Sequence, residues 1–307
     1  MPAPILEQLH IDVARNATDD FNPFHDPHRW QNIHANPFDG PIALGFQLAG
    51  LALDRISQHR DTVGEGDLAW ANQLFFSNYQ FTFASAVTAN SELEVQVRRT
   101  SNRIDAKGEL SNRVMLKTSG RLALMGMRRD ARRPTLPLGP PPDIPFALEQ
   151  IEDRTILPES GYFLKRKYLM TSNGKNFCAG CLIPQHHYFD ELADKVYFPP
   201  AFVLSLVSCA LLERAWSEGH DFEARPYLYT NHTFSFDKRL QRQLKSNDRI
   251  HLLVSGAENG TAEDGLGNSG IPQIQHHCYG ILNENQVLFH GRVGLAELED
   301  VLKQKKP

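Results

Sequence analysis

The 307-residue sequence predicts an α+β protein made of two similar halves, each a curved antiparallel sheet wrapped around one long central helix. Two observations predict it. A proline-rich break divides the chain near its middle, and on each side of the break a strongly apolar, helix-spaced segment precedes several strand-like runs.

The break runs from Arg132-Arg133-Pro134 to Pro140-Pro141-Pro142 and Pro145. Proline lacks a backbone donor and fixes φ, so this stretch cannot continue a helix or a central strand. The expected division is residues 1–131, a linker over 132–146, and residues 147–307. In the first half, Ile42 to Ile56 carries Leu44, Leu48, Leu51 and Leu53 at helical spacing. Strand-like runs follow at Leu74–Phe83, Leu93–Arg99 and Arg113–Met127. In the second half, Ala201–Trp216 is the apolar helix, followed by strand-like runs at Tyr227–Phe236, Ile250–Ser255, Gln273–Leu282 and Val287–Leu295.

A local echo supports duplication. Asn78-Tyr79-Gln80-Phe81-Thr82-Phe83 resembles Asn231-His232-Thr233-Phe234-Ser235-Phe236, and both stand just after the helix. Phe at alternate positions puts the rings on one face of a strand. A helix this apolar, followed only by strands, is best buried in the concave face of a curved sheet, which is the hotdog arrangement. Two such units would join edge to edge into one sheet, protecting an edge strand from open pairing.

Composition is that of a globular protein: 41% hydrophobic, 22% charged and 9% aromatic residues. A net charge of −4 gives no sign of nucleic-acid binding. No stretch is long and apolar enough to span a bilayer, and the N-terminus lacks the basic start and apolar run of a secretory signal. Four cysteines, Cys178, Cys181, Cys209 and Cys278, are too few to staple a chain of this size and read as reduced thiols, so the expected location is the cytoplasm. The Gly-, Glu- and Asn-rich stretch from Ala257 to Gly270 reads as a mobile hairpin loop. Gly265-Leu-Gly267-Asn-Ser-Gly270 has dinucleotide-loop spacing but precedes a strand rather than a helix.

Chemistry concentrates in Asp20-Phe21-Asn22-Pro23-Phe24-His25. Pro23 pushes Asn22 out of helical geometry, so the chain should bend here. Asn22 can hold the bend by hydrogen bonding, and a carboxylate and an imidazole stand on either side of it. Such a pair can position a water molecule and move its protons. The competing reading is a turn capped by ordinary polar residues.

The segment resembles the Asp-x-Asn-Pro-x-His motif of MaoC-like (R)-specific enoyl-CoA hydratases at Asp20, Asn22, Pro23 and His25. Downstream, Pro41, Ile42, Ala43 and Gly45 fit the family's approach to the central helix. The two matches cover about a tenth of the chain. The resemblance implies a double hotdog in which Asp20 and His25 form the catalytic pair for adding water to a trans-2-enoyl thioester. It implies Asp20 as general base, His25 holding the water and helping to deliver a proton, and the Gly45 N–H receiving the thioester oxygen. Asn22, Leu44 and Phe46 would orient substrate. The family's Gly, His and Met are replaced here by Asp19, Leu44 and Phe46, which reshapes the pocket.

When Pro41 is set against Pro199, the motif falls opposite Cys178–Ile183, with neither acid nor histidine in place, and Gly45 falls opposite Val203. The second half is therefore expected to be degenerate and to wall the pocket. Cys178-Ala-Gly-Cys181 reads as strand-like and packed rather than as a metal or redox site, and His186-His187 and His276-His277 read as surface or loop imidazoles. The leading expectation is a hydratase or dehydratase of a 2-enoyl or 3-hydroxyacyl thioester on coenzyme A or acyl carrier protein. An acyl-CoA thioesterase and a non-catalytic acyl-thioester-binding protein remain alternatives. No metal or redox cofactor, nucleic acid or membrane is called for, and the pairing habit of hotdog units leaves room for a homodimer.

Overall fold

The computed structural model describes residues 3–261 and 270–304. The first half runs β1 (Ile5–Leu6), α1 (Gln8–Thr18), α2 (Gly45–Thr62), α3 (Leu68–Ala71), β2 (Phe76–Phe83), β3 (Ser91–Val97), β4 (Ser101–Arg103), α4 (Ile104–Lys107), β5 (Glu109–Thr118) and β6 (Arg121–Ala131). The second runs β7 (Thr155–Ile156), β8 (Phe163–Leu169), α5 (Thr171–Gly180), β9 (Phe189–Asp190), β10 (Lys195–Val196), α6 (Pro200–Ser217), β11 (Tyr227–Asp237), α7 (Lys238–Gln241), β12 (Asp248–Val254), β13 (Glu258–Thr261), β14 (Pro272–Ile281), β15 (Val287–Glu297) and α8 (Leu298–Gln304).

The sheets of the two halves join edge to edge into one, as expected. Its strand order is β1-β3-β5-β6-β2-β11-β15-β14-β12-β8-β7, with β4 on β5 and β13 on β14. The echoing strands β2 and β11 are its seam, antiparallel and in register with Phe81 opposite His232 and Tyr79 opposite Phe234. Outward from the seam the order repeats, β2-β6-β5-β3 against β11-β15-β14-β12, as duplication requires. A matching device stands on each side. Phe81 lies over Gly126 and Phe234 over Gly291, where an added Cβ would come within 2.2 and 2.0 Å of ring carbons.

Helices α2 and α6 fill the concave face. In α6 every residue from Ala201 to Leu212 is buried, as expected of a helix apolar all round. The inner strand faces close over them with Tyr79, Phe81, Phe234 and Phe289. Where α2 ends, Arg60 meets a buried ionic cluster. Asp130 takes Arg60, Arg128 Nε at 3.0 Å, Lys238 Nζ at 3.1 Å and the Ser77 hydroxyl. Burial alone would raise the Asp130 carboxyl, but the three cations outweigh it and hold it well below the usual carboxylate range. Lys238 comes from the second half, so the cluster also ties the halves together.

Several expectations need correction. Arg113–Met127 is not one strand but parts of the hairpin β5–β6, turned at Ser119 and Gly120, both at positive φ. Cys178-Ala-Gly-Cys181 closes helix α5 instead of lying in a strand, because α5 packs against α1. Part of the expected loop after Ala257 is strand β13. The dinucleotide-like spacing at Gly265 and Gly267 lies outside the described residues. The proline-rich segment crosses the outer side of the seam. There Thr135 N–H donates to Asn78 Oδ1, Leu136 N–H donates to Ser235 Oγ, and the Pro137 carbonyl accepts from His290 Nδ1 at 3.0 Å. No helix among the described residues is long and apolar enough to cross a membrane.

Candidate active site

Helix α1 ends at a left-handed Asp19, and the Asp20 N–H returns to the Arg15 carbonyl at 3.0 Å. The chain then bends. Asn22 sits at φ −60°, ψ 125°, and its side-chain oxygen caps a short 3₁₀ turn, Pro23–His25, by accepting the Phe24 N–H. Asp20 Oδ1 accepts the Asn22 N–H at 3.0 Å. The bend thus consumes the ordinary hydrogen bonds of an Asx turn and holds both Asp20 and His25 in the interior, each 4% exposed. The adjacent Asp19 is exposed and ion-paired with Lys167, so its carboxylate stands apart from the pair.

His25 Nδ1 lies 2.7 Å from the carbonyl of Ile42. A carbonyl only accepts, so Nδ1 carries the proton and a neutral ring keeps its lone pair on Nε2. This bond also ties the motif to the residues that lead into α2. Gly45 is the first residue of that helix, where backbone N–H groups have no partner inside the helix. The N–H of Leu44, just before it, is taken by Gln47 Oε1 at 3.3 Å.

A cavity of about 600 Å³ brings these groups together: Asn22, His25, Ala43 and Gly45 line it. Its apolar wall comes from Phe24, Phe38 and Ile42 of the first half and from Leu228, Leu298 and Leu302 of the second. An aromatic wall stands beside Gly45. A Cβ there would meet Phe83 Cζ at 3.0 Å and Tyr229 Cδ2 at 3.2 Å. Asp20 is not among the lining residues. Its charge nevertheless reaches the Tyr229 hydroxyl, which burial pushes up first and the Asp20 carboxylate further. That hydroxyl is 2.7 Å from Ser208 Oγ on α6. Leu44 and Phe46 do not line the cavity. Both are buried, and Phe46 stacks on His232 at 4.2 Å between ring centres.

Set beside known structures, this architecture has clear counterparts. No family model and no curated protein sequence matches the chain. Among solved structures, a MaoC-like dehydratase superposes with a TM-score of 0.57 at 11% identity, covering 96% of this chain and 95% of that one. A conserved protein of Mycobacterium tuberculosis described as a double hotdog gives 0.56 at 10%, covering 97% and 94%. The chain has the double hotdog fold seen in MaoC-like proteins. The peroxisomal multifunctional enzyme type 2 of Drosophila melanogaster also matches, with a TM-score of 0.54 at 10% identity, over 95% of this chain and 47% of that one.

Within the double hotdog, the second half can now be matched to the first by hydrogen bonding rather than by prolines. Ile183 N–H returns to Cys178 O at 2.9 Å, as Asp20 returns to Arg15. The 3₁₀ turn Gln185–His187 follows, as Pro23–His25 does in the first half. Asp20 therefore matches Ile183, with one residue fewer before the turn, and His25 matches His187. On this match a histidine ends the turn and no acid precedes it, whereas Tyr197 N–H on Tyr188 O, the counterpart of Ile42 N–H on Phe24 O, sets Phe189 opposite His25. His187 Nδ1 instead meets Asp54 Oδ1 of α2 at 3.0 Å. The helix that follows begins at Pro200, which has no N–H, so Gly45 matches a residue with no donor rather than Val203.

The remaining singled-out groups are structural. Burial pushes the Cys178 thiol up to about 12 and Cys181 well above its usual value, so neither is a reactive thiolate. His276 is buried, with Nδ1 on the Ser255 carbonyl at 2.9 Å, rather than on the surface. Sequence reading missed Tyr229 and Ser208; an alternating aromatic strand offers no cue as to which ring will face a cavity.

Proposed function

We propose that this double hotdog adds water to a trans-2-enoyl thioester, or removes it from the 3-hydroxyacyl thioester, carried on coenzyme A or on acyl carrier protein. The observation that carries the reading is one cavity lined by both His25 and the free N–H end of α2 at Gly45. The thioester oxygen would sit on the Gly45 N–H, where the helix dipole and the free donor favour a developing enolate. His25 would accept one hydrogen of the water at Nε2 and orient it. Asp20 would take the other proton as the water oxygen bonds to the β-carbon, and that proton would end on the α-carbon. The mass balance is the addition of one water, with no group consumed. The apolar wall shared by both halves suits the acyl chain.

One observation favours a second reading: Asp20 is not among the residues that line the cavity. On that reading the protein binds an acyl thioester without turning it over. Incubation with a medium-chain trans-2-enoyl-CoA separates the cases. Hydration predicts loss of the conjugated thioester absorbance with no free thiol. Thiol release would make the protein a thioesterase, and tight binding with neither signal would make it a binder.

A further inference from the structure

The outer face of the sheet carries a concentration of positive charge that a chain of net charge −4 does not lead one to expect. Between residues 98 and 133 the sequence holds eleven Lys and Arg against three Asp and Glu. Two adjoining grooves lie on this face and share Arg113 and Met127. One, of about 720 Å³, is lined by no carboxylate among the described residues. The other, of about 330 Å³, includes a single acid, Glu109, which Arg129 neutralises at 3.7 Å. Arg98, Arg99, Arg103, Arg113 and Arg292 are all exposed, and among the described residues none has a carboxylate within ion-pair distance.

The placement is regular. Arg113 on β5 stands opposite Met127 on β6, then Gln80 on β2, Thr233 on β11 and Arg292 on β15, one row across the seam. Four interstrand steps put the two guanidinium-bearing positions about 19 Å apart. Arginines spaced along a row of this length match an extended acidic surface. They are also exposed, so opposite charge can reach them directly. The face reaches the rim of the cavity. Thr82 and Asn231 line the larger groove, and their chain neighbours Phe83 and Thr230 line the cavity. The exposed Arg121 stands at the cavity itself.

We propose that this face docks an acidic protein, and that the protein is the one bearing the thioester. The proposal rests on the hydration reading for the identity of the cargo, though not for the docking. An acyl carrier protein held on the outer face would pass its arm over the sheet end at Phe83 and Thr230 to reach Gly45.

The test compares the same trans-2-enoyl group on a purified acidic acyl carrier protein and on coenzyme A. In Arg113→Glu/Arg292→Glu, kcat/KM for the carrier-borne substrate should fall at least tenfold, and for the CoA-borne substrate stay within twofold. Raising salt should reproduce the selective loss in the native protein. Binding of the unacylated carrier, followed by calorimetry, should persist in Asp20→Asn and vanish in the double variant. Equal losses on both substrates would mean that the face holds the nucleotide instead and would overturn the proposal, as would a native protein that does not bind the carrier. Carrier binding that the double variant abolishes, with no turnover of either substrate, would support docking while refuting hydration.

Discussion

His25 and Ile42 are joined by a 2.7 Å hydrogen bond from the imidazole Nδ1 to the main-chain carbonyl. The bond settles which ring nitrogen is left for chemistry and fastens the motif to the start of α2. In consequence the positions of His25 and Gly45 are coupled, and disturbing the helix start should be felt at the imidazole.

Gly45→Ala tests that coupling. The new Cβ would press on Phe83 and Tyr229 at 3.0–3.2 Å, so the rings or the helix start must shift by tenths of an ångström. Steady-state hydration should fall about tenfold to a hundredfold with the melting temperature little changed, because small misplacements of reacting groups are costly. Trimming the wall with Phe83→Leu in the same chain should return part of the loss.

His232 gives a pH prediction. It is buried among Phe46, Phe83 and Tyr229, and neither ring nitrogen has a partner among the described residues. Burial pushes it down to about 3, against about 6.5 in an unfolded chain. Below pH 6.5 the unfolded chain binds a proton that the folded one does not, so stability is lost as pH falls from about 6.5 towards 3. His232→Phe should therefore be stabilising, and its advantage in thermal melts should be larger at pH 5 than at pH 7.5.

Asp130→Ala should be among the most destabilising single changes in the chain. It leaves Arg60 and Arg128 buried without their anion, for which about 3–5 kcal/mol is the expected cost. Urea denaturation reads this directly. Because Lys238 also lies on Asp130, the loss should reach both halves in one transition.

His187→Ala separates the imidazole that ends the second 3₁₀ turn from the one that ends the first. Removing it strips Asp54 of one partner and should cost about 1–3 kcal/mol of stability. Hydration should stay within twofold, since α6 opens with Pro199-Pro200 and offers no N–H at the position that Gly45 holds in α2.

The sequence exposed the parts of this fold that depend on local pattern. The apolar helices α2 and α6, and the alternating Phe strands that became the seam, are written in residue spacing. So is the Asp20–His25 bend, because proline and Asx chemistry act over a few residues. What stayed hidden depends on tertiary contact. Helix α5 contains Asn173, Gly174, Asn176 and Gly180, poor helix formers that stay helical against α1. The β5–β6 turn at Ser119-Gly120 interrupts a run whose hydrophobicity continues on both sides. His187 was missed because the chain from the turn to the helix proline is four residues shorter in the second half, His187 to Pro199 against His25 to Pro41, so an alignment anchored on prolines misplaces the turn. Tyr229 and Ser208 meet only when α6 and β11 are in place.

The central claim is that Asp20 and His25 act on one water beside Gly45. Turnover of a trans-2-enoyl thioester by the native protein, Asp20→Asn and His25→Ala tests it most directly, with circular dichroism as the check on folding. The account predicts a 3-hydroxyacyl product from the native protein and a loss of at least about a hundredfold in each folded variant. A folded variant that keeps the full native rate would contradict it.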